Sequence, residues 1–445
     1  MKKITLLLVG LSSFALCAAQ TAYTLPQLLD SARQNNITLH NAQAGVNAAR
    51  QQRKEAFTKF FPSISGTGAW FNADKGMAKM DFNPGEMITP ELAASLSAMF
   101  PPEALAALAS PVSLSMMKNG TIAGINATQP LFAGGQIVNG NRLAKVGEDV
   151  AALQLQLTED QVELTTQQYY WQIIALQEKL QTIASVEALL SDLHKDVDVA
   201  VRAGLALHND LLQVQLRQNE VESQRLKVQN GLSLVKLLLA QYCGLSDTAF
   251  TLMPDLDPLP LPTMQDHAQA LQATAEYQLL DKQVQAARLQ QKMTVGENLP
   301  SLAVGAGYNY HNLMDNDRTF AMVYATLSVP ITDWWGGSHA IRRKRIEYQK
   351  ALDEQQDKSE LLQIRMQNAW NNVVEARQQL DIAQRSIEQA EENLRLNRDY
   401  YRAGTIKMSD LLEAQLLCQQ AHDRHTDACA DYRNKILEYQ QAVGQ

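Results

Sequence analysis

Glycine and proline are scarce in this chain of 445 residues, at 22 and 14. Neither occurs from Glu148 to Ala203 or from Ser338 to Ala403. These two residues punctuate helices, so stretches of that size read as long helices rather than the two or three globular domains that length alone suggests. Apolar runs of 18 or more residues are missing beyond the N-terminus, which excludes a helical membrane span there. An excess of positive charge is missing too. The formal charge is −8 with no basic stripe to neutralise phosphates, so nucleic acid is not a partner. No Gly-rich phosphate loop, nucleophile elbow or foldable carboxylate pair is present, so the chain reads as no enzyme, with no cofactor. Charged residues at 19% and hydrophobic residues at 46% leave a folded chain, neither disordered nor collagen-like.

Lys2 and Lys3, the apolar stretch Ile4 to Leu11, and small residues through Cys17, Ala18 and Ala19 form the pattern of a secretory signal, residues 1–19. Lipidation at Cys17 is the alternative, but Leu16 before it is larger than a lipobox normally accepts. Cys243, Cys418 and Cys429 then remain, an odd number in an exported protein. Cys418 and Cys429 stand about 16 Å apart along one helix. A disulfide needs Cα atoms within about 7 Å, so no framework is implied.

What is present in abundance is repetition. Arg202-Ala203-Gly204 recurs as Arg402-Ala403-Gly404, and Asn209-Asp210-Leu211-Leu212 as Ser409-Asp410-Leu411-Leu412, at a constant offset of 200 residues. Pro130 and Pro330 share the offset, each followed by a glycine pair. The chain therefore divides into a first repeat, 20–253, a proline-spaced linker, 254–262, and a second repeat, 263–445. Each repeat opens with a helix, Leu25 to about Lys59 and His267 to about Val295. Alternating segments follow at about 62–72 and 120–131, with an intervening loop of about 73–119, and at about 300–310 and 320–330. Segments of about ten residues with one apolar face are the mark of membrane barrel strands. Long helices then run over about 136–203 and 338–403, and return over about 209–243 and 409–442. Leu143, Val150, Leu157, Leu164 and Trp171 recur every seven residues, followed in a shifted phase by Leu176, Ile183, Leu190 and Val197, which predicts coiled-coil packing. Ser338 to Ala403 alone is 66 residues, about 100 Å of helix.

Four strands cannot close a barrel, and an open sheet edge cannot sit in lipid. Oligomerisation follows: eight strands from a dimer or twelve from a trimer. An exported chain that is part barrel and part long helix most simply bridges the outer membrane and the periplasm.

Short motifs add a resemblance. Thr24-Leu25-Pro26-Gln27-Leu28-Leu29 with Asn35-Asn36 is similar to the opening helix of the TolC-like family of outer-membrane efflux and secretion channels. Phe61-Pro62-Ser63-Ile64-Ser65 resembles that family's run into its first strand, and Gln129 to Gly135 and Pro330 to Gly337 its run into the long helices. The resemblance covers nearly the whole mature chain. It implies a mainly α fold with a membrane β-barrel portion: a homotrimer whose 12-stranded barrel continues into a periplasmic α-helical barrel. It also implies outer-membrane lipid around the barrel, docking on a periplasmic adaptor, and an inner-membrane pump of the resistance-nodulation-division or ABC type. Export of drugs, toxic compounds or secreted molecules would be the function. A non-conducting coiled-coil envelope spacer and a periplasmic metal-binding protein are the alternatives.

Candidate site residues cluster at the turns. Gly204 and Gly404 suit left-handed positions ending the long helices. Asn209 and Ser409 suit N-caps of the returning helices, with Asp210 and Asp410 at the positive dipole end. The resemblance makes these turns the periplasmic tips. It assigns adaptor docking to Gly204, Asp210, Gly404 and Tyr401, and an acidic entrance ring to Asp410 and Glu413. Ile406 stands where the family prototype has an entrance-closing Arg. Trp334 and Trp335 read as an interfacial aromatic anchor. Cys418, His422, His425 and Cys429 form one helical stripe of metal-competent types, but two further ligands have no source, so the stripe reads as a tunnel wall or interhelix face. Met77, Met80, Met87, Met99, Met116 and Met117 in the first loop read as adaptable packing rather than a copper site.

Overall fold

The computed structural model describes residues 22–97, 99–253, 259–313, 316–331 and 333–445. The signal segment 1–19 with Cys17, and residues 254–258 of the linker, lie outside the described residues. The chain forms two compact units. One comprises residues 50–146 and 285–350; the other takes 147–284, 351–445 and the N-terminal residues to 49.

The first unit holds a four-stranded antiparallel sheet, β2 (Ser63–Asn72), β5 (Asn119–Ala133), β7 (Ser301–Leu313) and β8 (Asn316–Ser328), in that spatial order. One hairpin from each repeat therefore meets at the β5–β7 seam. Strands β7 and β8 run to Leu313 and from Asn316, so most of the stretch between the expected segments, 300–310 and 320–330, is strand as well. The alternation has a physical consequence on each face. Ile64, Trp70, Val323 and Leu327 share one face and are 74%, 71%, 84% and 67% exposed. The opposite face carries Ser65, Thr67, Asn126, Thr128, Asn309 and Tyr324. There Tyr324 lies over Gly305 and its hydroxyl meets Thr128 Oγ1 at 3.0 Å, two strands away. A Cβ at position 305 would collide with that ring. The sheet is open, since β2 and β8 each have one partner among the described strands.

The stretch 73–119, read as a loop, has structure of its own. It contains β3 (Ala78–Phe82) paired antiparallel with β4 (Val112–Met116), and short helices α3 (Pro90–Ser97) and α4 (Pro102–Leu108). Proline opens each helix, where its missing N–H costs nothing. Met77, Met80, Met87 and Met99 are all exposed.

The second unit is helical. The expected opening helix is broken into α1 (Leu25–Asn35) and α2 (Ile37–Thr58). Asn36 leaves helical geometry, with ψ 122°, and its Oδ1 accepts from Thr38 N at 2.9 Å and Leu39 N at 3.3 Å. An asparagine so placed caps the next helix rather than continuing the last. Its repeat-two counterpart is broken likewise, into α7 (His267–Leu271) and α8 (Ala275–Glu297). Two short strands, β1 (Ala22–Tyr23) and β6 (Thr251–Leu252), pair in parallel.

The long helices α5 (Gln136–Arg202) and α9 (Asp333–Arg402) return as α6 (His208–Cys243) and α10 (Met408–Ala442). The later heptad positions Ile183, Leu190 and Val197 are buried, and face Val221, Val214 and Leu211 of α6. Upstream, Leu28 and Ala32 of α1 join Tyr170, Ile173, Leu239 and Cys243 in one core, which burial at about 1.5–3 kcal/mol per large apolar side chain stabilises. The Cys243 thiol in that core is pushed up to about 12 by burial. Tyr432, Ile436 and Tyr439 of α10 form a second core with Met366 and Val373 of α9.

Candidate functional site: the paired hairpin tips

Both long helices end in the same way. Gly204 has φ +72° and Gly404 φ +73°. Leu205 N donates to Ala200 O at 2.8 Å and Gly204 N to Val201 O at 3.0 Å; Thr405 N to Tyr400 O and Gly404 N to Tyr401 O repeat the pattern at 3.0 and 2.9 Å. This paired set of bonds is a Schellman motif, which needs a residue free to adopt left-handed geometry. Open space surrounds both glycines, so any penalty for a side chain there comes from the backbone alone.

The returning helices start two residues earlier than the sequence suggested. Leu207 and Lys407 are the N-caps, not Asn209 and Ser409. Neither Leu nor Lys carries a side-chain acceptor, so the third helical residue supplies one. Asp210 Oδ2 accepts from Leu207 N, and Asp410 Oδ2 from Lys407 N, each at 3.2 Å. Ser409 Oγ adds a bond to Asp410 Oδ1 at 3.2 Å. Asp410 and Glu413 are both exposed and lie on one side of α10, while Leu411, Ala414 and Gln415 are buried.

The two tips pack side by side. Met408, 1% exposed, sits among Val197, Leu211 and Val214, with half-buried Tyr401 against them. Burial, and then the charge of Asp210, pushes the Tyr401 phenol above its ordinary range. The structure thus brings Tyr401 and Asp210 together across the two repeats. A groove of about 890 Å³ lies here, lined by Asp196, Asn209, Asp210, Arg398, Tyr401 and Ile406 among others. The tips differ in character: Leu205 and Leu207 are 84% and 70% exposed, where the second repeat has Thr405 and Lys407.

Sequence reasoning missed Arg217. This residue of α6 is 7% exposed, and its Nε donates to Gln415 Oε1 and its Nη2 to Gln419 Oε1, both at 3.0 Å. Nη1 reaches Glu220 at 3.1 Å, and Gln419 Nε2 donates to Gln224 Oε1 at 3.0 Å. The repeat offset pairs Arg217 with Leu417, so no pattern marked it.

The metal-competent stripe is spread out. Cys418 is buried, His422 Nε2 lies 3.1 Å from Glu391 Oε1, and His425 lies beside Cys429 at 3.8 Å. Burial and then His422 push His425 below the usual histidine value. Among the described residues no group of three or more His, Cys, Asp or Glu is placed to hold a metal. Trp335 is 84% exposed in the first turn of α9; the Trp334 side chain lies outside the described residues. No described helix is long and apolar enough to cross a membrane.

Residues 266–445 match the family model of the outer membrane efflux proteins. No curated protein matches the chain by sequence. Solved structures do match by fold. The CusC channel gives a TM-score of 0.78 at 15% identity, covering 96% of this chain and 93% of its own. The Campylobacter jejuni CmeC outer membrane channel gives 0.76 at 15%, covering 94% and 85%. The Vibrio cholerae outer membrane protein VceC gives 0.72 at 14%, covering 94% and 96%. By its second repeat the chain matches the outer membrane efflux protein family, and over nearly its whole length it has the fold of the TolC-like outer-membrane channels.

Proposed function

We propose that the chain is one protomer of an outer-membrane channel-tunnel that exports small molecules or secreted products, working with a periplasmic adaptor and an inner-membrane pump of the resistance-nodulation-division or ABC type. The observation that carries this reading is the sheet. Among the described strands it has two unpaired edges, and it has one face of exposed apolar side chains, including Ile64, Trp70, Val323 and Leu327. An apolar outer face is stable in lipid, and unpaired edges are not, so copies of the sheet join edge to edge. Three copies give twelve strands, the stoichiometry of the homotrimer. Trp335, with Trp334, anchors the barrel at the membrane surface. The tips around Gly204, Asp210, Gly404 and Tyr401 receive the adaptor, and Asp410 with Glu413 rings the periplasmic entrance.

Purified protein is measured by native mass and by conductance in planar bilayers. A trimer that conducts supports the reading. A stable detergent-solubilised monomer would overturn the barrel, and a trimer without conductance would favour the non-conducting spacer.

A further inference from the structure

The four strands of the sheet carry two ionised side chains in all, Asp317 and Arg318 of β8. Neighbours along a strand point to opposite faces. Asp317 lies on the apolar face, where the Tyr310 hydroxyl donates to its Oδ1 at 3.1 Å. Arg318 stands on the other face, that of Asn126, Thr128 and Tyr324. It is exposed, and among the described residues it forms no ion pair.

That second face changes character along the strands. Towards the joins with the helices, at Ser63, Ala133, Ser301 and Ser328, it is polar, with Ser65, Thr67, Asn126 and Thr128. Towards the far end, at Asn72, Asn119, Leu313 and Asn316, it turns apolar and aromatic. Ile122, His311 and Arg318 stand opposite one another in a single row across β5, β7 and β8. At about 4.8 Å per strand the row spans about 10 Å. Phe320, two residues from Arg318 on the same face, meets the His311 ring edge to face, with centroids 6.0 Å apart. Phe71 and Leu313 both lean over Gly120, where a Cβ would stand 3.2 Å from Phe71 Cε1 and 2.8 Å from Leu313 Cδ2. Ile122 and Phe320 are exposed, so a solute can reach them.

The chemistry of this patch selects its occupant. Arg318 repels a cation, and a neutral polar solute leaves the apolar side chains uncovered. An aromatic anion meets both demands: its ring packs on Phe320 and Ile122, and its carboxylate or sulfonate takes the planar fork of the guanidinium. No acid on this face of the strands competes for that fork. From the row of Ile122, His311 and Arg318 beside Phe320, we infer that the far end of this face is a binding site for small aromatic anions. The inference rests on the proposed channel in one respect, that this face is the inner wall and its far end the exit. Aromatic acids are then a substrate class of the duct.

A photoreactive pair tests the site. Full-length protein in nonionic detergent is irradiated with 4-benzoylbenzoate or with the matched neutral 4-benzoylbenzamide, each with and without excess 2-naphthoate. Labelled peptides are identified by mass. Around Ile122 and Phe320 the carboxylate is expected to label about three- to fivefold more than the amide, the range an exposed ion pair supplies. Excess 2-naphthoate should suppress that labelling. Arg318→Gln should abolish the preference and Arg318→Lys should retain part of it. Equal labelling by the two probes, a preference that survives Arg318→Gln, or no labelling around Ile122 and Phe320 would overturn the site. Native mass and conductance of the same preparation report on the channel separately. A conducting trimer with equal labelling loses the site alone, whereas a non-conducting trimer with the anion preference loses the channel and keeps the site.

Discussion

Arg217 and Gln415 are joined by a bond of 3.0 Å between two buried side chains, one from each repeat. Through it and the parallel bond to Gln419, a single guanidinium ties α6 to α10 just beyond the tips. The partners are amides rather than carboxylates, apart from half-exposed Glu220. The buried charge is thus solvated by dipoles, which makes the arrangement sensitive to the loss of any one member.

Arg217→Met removes the donor and leaves two buried amide oxygens unpaired. The cost should be about 2–6 kcal/mol, at roughly 1–3 for each of the two orphaned groups. Replacing both sides together, as Arg217→Met with Gln415→Leu and Gln419→Leu, should recover most of that loss, because apolar groups of similar shape need no partner. Denaturation midpoints of the two variants check this. A triple variant less stable than the single one would show that the tie is packing, not hydrogen bonding.

The turns could be read from residue type, and this link could not, for a physical reason. Gly204 and Gly404 announce themselves because left-handed backbone selects glycine. The sheet strands of repeat two were legible from strict alternation between Leu302 and Tyr310. Asp210 and Asp410 were rightly placed at the helix starts, but the N-cap was misplaced by two residues, because cap rules look for a short polar side chain and here the third residue does that job. Asn36 looks like one polar residue in a helical run until its amide is seen capping α2. Arg217 looks like a solvated charge; only the fold turns it inward. The pairing of β1 with β6 joins residues more than 200 positions apart over two-residue strands, too short to carry a period.

The tip glycines have a backbone test. Gly404→Val places a β-branched residue at φ +73° with nothing nearby to clash, so the penalty is conformational, about 1–2 kcal/mol or more. Gly404→Asn should be close to neutral, since asparagine tolerates that region. If the chain is the proposed channel protomer, Gly404→Val and Gly204→Val should weaken co-purification with a periplasmic adaptor more than recovery of a trimer from membranes. Equal loss of both would mean that the turns serve folding alone.

His425 gives a pH dependence with a definite sign. Its pKa in the folded chain is pushed below 6.5, so the unfolded chain takes up a proton first as pH falls. Its contribution to stability is present above about pH 6.5 and is lost as pH drops towards the folded value. The raised Asp423 and Asp431 act in the opposite direction at lower pH, so the comparison must be differential. Between pH 7 and 5.5 the unfolding midpoint of the native chain should fall more than that of His425→Gln. Parallel curves would show that His425 ionises equally well in both states.

The last prediction separates the two roles of the acids on α10. Asp410 already accepts a bond from Lys407 N, so it caps the helix whatever else it does. Glu413 has no such duty evident at the turn; it is exposed on the same side, three residues further on. In a trimer each would occur three times around one axis, and carboxylates gathered at a constriction favour cations over anions. Asp410→Asn keeps a side-chain carbonyl able to accept the Lys407 N–H, and Glu413→Gln keeps the shape, so the pair removes charge while the turn survives. If the proposed channel forms, bilayer recordings under a KCl gradient should show a reversal potential favouring K⁺ in the native protein and shifted towards zero in the double variant. The difference should shrink as salt rises, because the screening length falls from about 10 Å at 0.1 M to about 3 Å at 1 M. A reversal potential that does not move at low salt would leave Asp410 as a cap and Glu413 as a solvated surface acid.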